Sequence, residues 1–75
     1  MPHIIVKLWP GNSEQQKIRL TEAITRDVMD NLKCREESVS VAMEEIAPED
    51  WAEQVYQPEI IGNSHKLYKE PGYKM

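Results

Sequence analysis

The sequence predicts an α/β fold: a single β-α-β unit over residues 2–46 and an extension of short helices over 47–75, one domain whose sheet is completed by dimerisation. Three observations predict it. The β-branched run HIIVKLW at 3–9 and the alternating run SVSVAMEEI at 38–46 flank one long amphipathic segment. Strand, helix, strand in that order calls for a parallel pair joined by a right-handed crossover. Two strands and one helix also leave a sheet face and both sheet edges bare, and isolated two-stranded units are marginal in water.

The elements follow in chain order. In 3–9, Ile4, Val6 and Leu8 fall on one face and Ile5 and Trp9 on the other, as in a strand covered above and below. Pro10-Gly11-Asn12 is a turn signal that ends it. Ser13 with Gln16 forms a capping box, and Glu14 sits at the positive end of the helix dipole, so a helix opens there. Leu20, Ile24, Val28 and Leu32 recur at four-residue spacing with Ala23 beside them, which predicts a core-facing stripe and an end near Lys33. In 38–46, Val39, Val41 and Met43 alternate with Ser40, Ala42 and Glu44, the period of a half-buried strand. Residues 47–56 read as a short helix with Pro48 near its start. A second helix is expected to begin at Pro58, with Ile60, Ile61, Ser64, Leu67 and Tyr68 on one face, and to stop at Pro71-Gly72.

The chain has 75 residues, a net charge of −4 and one cysteine. A core this small supplies about 3–5 kcal/mol, so small domains usually add disulfides, a metal or a partner chain. Cys34 alone makes no internal disulfide, and with His3 and His65 it is too scattered for a structural zinc site. Self-association is left. The acidic balance, with basic residues dispersed among acids, argues against nucleic-acid binding. No apolar run approaches the roughly 18 residues of a membrane span, and no signal-peptide pattern opens the chain. A soluble cytoplasmic protein is expected, with no membrane partner.

Pro2 has two readings. Lacking an N–H, it suits a strand start. If Met1 is removed, its ring nitrogen becomes a secondary amine, a base or nucleophile.

Pro2, the Pro10-Gly11 turn, the SEQQK helix opening, the SVSVAMEEI strand and Trp51 together resemble the 4-oxalocrotonate tautomerase family, from Met1 to about Trp51. The tail from about Tyr56, ending PGYKM, looks like that of the dimeric, phenylpyruvate tautomerase-like bacterial branch rather than that of the short hexameric members. The resemblance implies a cofactor-independent, metal-free keto–enol tautomerase in which Pro2 is the general base, and a homodimer, with a hexamer as the alternative. A terminal amine has a reference pKa of about 7.7–8.0, proline's being somewhat higher, and apolar burial lowers it toward the useful range. Trp51 stands where the family commonly places an aromatic residue and is assigned to the substrate pocket. Trp9, where the family places an apolar strand-end residue, fits interface packing as well as a pocket wall.

The family's two carboxylate-binding arginines correspond here to Asn12 and Ser40, both uncharged. Hydrogen bonds to charged groups contribute about 1.5–3 kcal/mol against about 1 for neutral ones. The expected substrate is therefore a small, partly apolar 2-keto acid enol such as phenylenolpyruvate rather than a dicarboxylate. Lys7, Lys17 and Arg19 read as solvated surface cations, His3 as a strand residue with local hydrogen bonds, Cys34 as structural, and Met29 and Met43 as core filling. Two other functions fit the residues: a proline-dependent hydratase or dehalogenase-like enzyme, and a non-catalytic oligomeric binding module. The tail reads as a cap on the dimer face or as a lid, the cap being preferred.

Overall fold

The computed structural model describes residues 1–75 and forms two compact units, Met1–Glu45 and Ile46–Met75. In the first, β1 (His3–Leu8) stops one residue short of Trp9, and the chain turns through Pro10 and Gly11. Gly11 has φ 123°, a conformation that side chains with a Cβ rarely adopt. Helix α1 (Glu14–Leu32) opens on the expected capping box: the Gln16 N–H donates to Ser13 Oγ at 3.1 Å and the Ser13 N–H to Gln16 Oε1 at 2.8 Å. It ends at Lys33, whose left-handed φ of 55° reverses the chain.

Strand β2 (Ser40–Glu45) begins two residues later than its alternating pattern suggests. Ser38 is held instead in a 3₁₀ turn, Glu36–Ser38, where its N–H and Oγ both donate to the Arg35 carbonyl, at 3.1 and 2.8 Å. β1 and β2 pair in parallel, from His3 opposite Ser40 to Leu8 opposite Glu45. Alternation therefore puts Val6 and Met43 on one face and Ile5 and Ala42 on the other. Met43 borders a hollow of about 370 Å³ with Lys17, Ile18 and Thr21 of α1, so its face is the helix side. On the opposite face Ile5 is 51% exposed and Trp9 52%, so the second cover predicted for β1 is not supplied by this chain.

The helix stripe also differs from its prediction. Ala23, Ile24 and Val28 are half-buried, but Leu20 is exposed and Leu32 is 62% exposed. At 3.6 residues per turn a four-residue step overshoots by about 40°, so three steps carry a side chain about 120° around the helix. Leu20 falls off one side of the half-buried arc, whereas Leu32 shares the direction of Thr21 and Thr25 and is exposed as the last residue of the helix. The half-buried stripe runs through Lys17, Thr21, Ile24, Thr25 and Val28. The two threonine hydroxyls donate to the carbonyls four residues back, at 2.9 and 2.8 Å. Lys17, expected on a solvated face, is largely covered, with Nζ 3.2 Å from Glu45 and 3.7 Å from Glu14. The Glu45 hydrogen bond is the main cause that raises its pKa above the ordinary lysine value.

The second unit holds the most buried side chains of the chain, Val55 and Tyr56, at 5% and 6% exposure. Helix α2 (Pro48–Trp51) starts with Pro48, where a missing N–H costs nothing, and its first turn closes with the Asp50 N–H on the Ala47 carbonyl at 2.9 Å. It passes directly into a π-helix, Ala52–Ile61, that contains Pro58. The expected break before Pro58 is therefore absent. A proline ring collides with the carbonyl four residues back in an α-helix, and a wider turn relieves that collision. The wide turn closes with the Gly62 N–H on the Gln57 carbonyl at 2.8 Å. Beyond it lies a 3₁₀ turn, Ser64–Lys66, and Tyr68 is fully exposed rather than aligned with Leu67. No helix is long and apolar enough to cross a membrane.

Gly62 is there for space. A Cβ would lie 2.7 Å from the Pro58 carbonyl oxygen and 3.0 Å from that of Gln57, both backbone atoms that cannot swing aside. Gly62→Ala is expected to destabilise the protein by about 1–3 kcal/mol, as overpacked sites do, read as a lowered urea midpoint.

Candidate active site

Pro2 sits at the head of β1, its carbonyl accepting the Ser40 N–H at 3.2 Å. The sheet thus holds the residue by its C=O side and leaves the ring nitrogen at the open end of the strand. The ring is half-buried, whereas Met1 before it is fully exposed. Beside them, His3 Nδ1 lies 2.6 Å from Ser40 Oγ, the local hydrogen bond expected of His3. The tautomer decides what Ser40 offers. With the proton on Nδ1 the ring donates and the serine O–H stays available to an anion; with Nδ1 bare the serine donates to it and keeps only lone pairs.

Asn12 and Trp9 lie at the other end of the strand. Pro2 and Trp9 are seven residues apart along an extended segment, roughly 23 Å at about 3.3 Å per residue. Asn12 borders a hollow of about 170 Å³ with Leu8, Gln16, Lys17 and Leu20. The first unit therefore brings the Ser40 backbone to Pro2, sets the Ser40 hydroxyl at His3, and keeps Trp9 and Asn12 away from Pro2. Lys17, the cation at that hollow, is engaged with Glu14 and Glu45. Cys34 is half-buried, with Sγ 3.9 Å from the Val28 carbonyl. No three His, Cys, Asp or Glu side chains gather where they could hold a metal ion.

Trp51, in the second unit, is half-buried at the end of α2, and its indole N–H donates to Tyr73 Oη at 3.0 Å. The Tyr73 ring rests on buried Tyr56, centroids 5.7 Å apart and planes tilted by 36°. Sequence reasoning singled out Trp51 and passed over Tyr73. A Tyr directly after the Pro71-Gly72 turn was the available sign, since a turn there brings the chain back and a buried indole seeks an acceptor.

Comparison with known proteins adds to this geometry. The family described as "Tautomerase enzyme" matches residues 2–58. A probable tautomerase of Xylella fastidiosa is 42% identical over 97% of this chain and 89% of its own length. Tautomerase PptA of Cronobacter sakazakii is 40% identical over the whole of both chains. Among solved structures, TomN, a 4-oxalocrotonate tautomerase homologue in the tomaymycin biosynthetic pathway, superposes with a TM-score of 0.65 at 40% identity, covering 67% of this chain and 77% of its own. With a parallel β-α-β unit headed by Pro2 and relatives of this closeness along its full length, the chain belongs to the 4-oxalocrotonate tautomerase family and is an isomerase.

Proposed function

We infer that the protein is a cofactor-independent keto–enol tautomerase of small, partly apolar 2-keto acid enols such as phenylenolpyruvate, with Pro2 as its general base. The observation that carries this reading is the setting of Pro2, its carbonyl tied to the Ser40 N–H at 3.2 Å beside a fully exposed Met1. Removal of Met1 turns the ring nitrogen into an amine. That nitrogen takes the enol O–H proton; the O–H electrons form the carbonyl, and the C=C electrons take the proton back at carbon. One proton moves from oxygen to carbon, and nothing is consumed.

Trp51 and Trp9 serve as apolar walls, and Ser40 and Asn12 as neutral anchors for the single carboxylate. Since one chain separates Trp9 and Asn12 from Pro2, a pocket that uses these three draws on two copies. This accords with a homodimer, whose compartment we take to be the cytoplasm. With neutral anchors in place of two arginines, Met1-free protein is expected to favour phenylenolpyruvate over 2-hydroxymuconate by about tenfold or more in kcat/KM, each lost charge-assisted contact being worth about 1 kcal/mol beyond its replacement. Faster turnover of the dicarboxylate would reject this substrate assignment.

A further inference from the structure

The tail after the 3₁₀ turn is held in an unusual way. From Tyr68 onward it forms no helix or strand, and the last backbone hydrogen bond before it is that of the Leu67 N–H to the Ser64 carbonyl, at 3.2 Å. Tyr73 ties it to the helical part of the second unit, through its ring on Tyr56 and its hydroxyl at the Trp51 indole. Tyr73 is 44% exposed, and an exposed neutral hydrogen bond adds little to stability. It does, however, fix direction. The indole N–H is the one polar handle on Trp51, and an acceptor at 3.0 Å selects one orientation of that ring about its side-chain torsions.

We propose that Tyr73 is a positioning residue of the tautomerase: its hydroxyl holds Trp51 in the orientation in which the indole walls the substrate pocket, so the tail, which lies beyond the family's matched residues 2–58, is part of the catalytic apparatus. This rests on the assignment of Trp51 to the pocket made above. It gives the tail a role distinct from capping a dimer face. A wall that swings out of place weakens the grip on the apolar part of the substrate, so its loss is read in KM more than in kcat.

The test is a double-mutant cycle on kcat/KM for phenylenolpyruvate, with Met1-free parent, Tyr73→Phe, Trp51→Phe and the double variant. Tyr73→Phe keeps the ring that packs on Tyr56 and removes only the hydroxyl. It is expected to lower kcat/KM about two- to tenfold, mainly through KM, in the parent background and to cost nothing further once Trp51 is Phe. In a Trp9→Phe background, where Trp51 is the one remaining tryptophan, Tyr73→Phe is expected to shift the indole emission. Equal losses in both backgrounds, no loss in the parent, or an unchanged emission would each overturn the proposal. Pro2→Ala measured alongside separates the two readings. If it keeps the full rate, the general-base role fails while the cycle still reports on Tyr73. If Pro2 is required and the cycle is additive, the Tyr73 role alone fails. A parent with no turnover of this enol removes both.

Discussion

Any residue or tag left on the nitrogen of Pro2 is expected to abolish enol turnover, and Pro2→Ala to lower kcat/KM for phenylenolpyruvate by about 10²–10⁴-fold, the range of a general base. The two changes report different things. An amide nitrogen has lost its basic lone pair, so the blocked chain tests whether the base is needed at all. Alanine leaves a primary amine at the terminus, freely rotating and more strongly hydrated, but removes the ring that locks φ and aims the nitrogen. Its loss measures orientation and solvation of the base. Because Met1 is fully exposed, an aminopeptidase can reach it in the folded chain, and intact-mass spectrometry shows which form is being assayed. Equal rates for blocked, alanine and free Pro2 protein would return Pro2 to the simple role of a strand start.

Ile5→Asp is expected to weaken self-association by at least about 100-fold and to lower tautomerase activity with it. Ile5 is 51% exposed on the sheet face away from α1, in register with Ala42, and Trp9 on the same face is 52% exposed. On a free surface a substitution of this kind costs within about 0.5 kcal/mol. Beneath a second copy it buries an unpaired carboxylate, which costs several kcal/mol, and about 3 kcal/mol already corresponds to a 100-fold change in affinity. Only Val55 and Tyr56 are buried in the chain, too little core for a 75-residue protein to stand alone. Sedimentation at micromolar concentration reads the association, and the enol assay on the same sample reads the site. An unchanged mass and rate would mean that the face is free and that the pocket does not draw on two copies.

Local chemistry made most of the first unit legible. The β-branched run of β1, the Ser13–Gln16 box and the alternation of β2 are short-range signals, and each is present within one or two residues of its expected place. Errors arose where a pattern was extended past the range of its cause. Leu20 follows a four-residue spacing that drifts off the helix face, Leu32 is exposed because the helix stops at it, and Ser38 fits the β2 alternation but is claimed by a hydrogen bond to Arg35. Pro58 reads as a helix start because proline usually is one, whereas here the turn widened around it and Gly62 accommodated the result.

For the site the division is similar. By itself the sequence determined that Pro2 heads a strand and that Trp51 follows the second strand, because these depend on order along the chain; that Asn12 and Ser40 stand in place of arginines is what the resemblance to the family implies. Only the tertiary structure decided that the Ser40 backbone lies beside Pro2, that Lys17 is engaged with two carboxylates, and that Tyr73 returns to Trp51. Those facts depend on strand register and on where a tail closes, and such contacts between residues distant in sequence leave no periodicity from which they can be read.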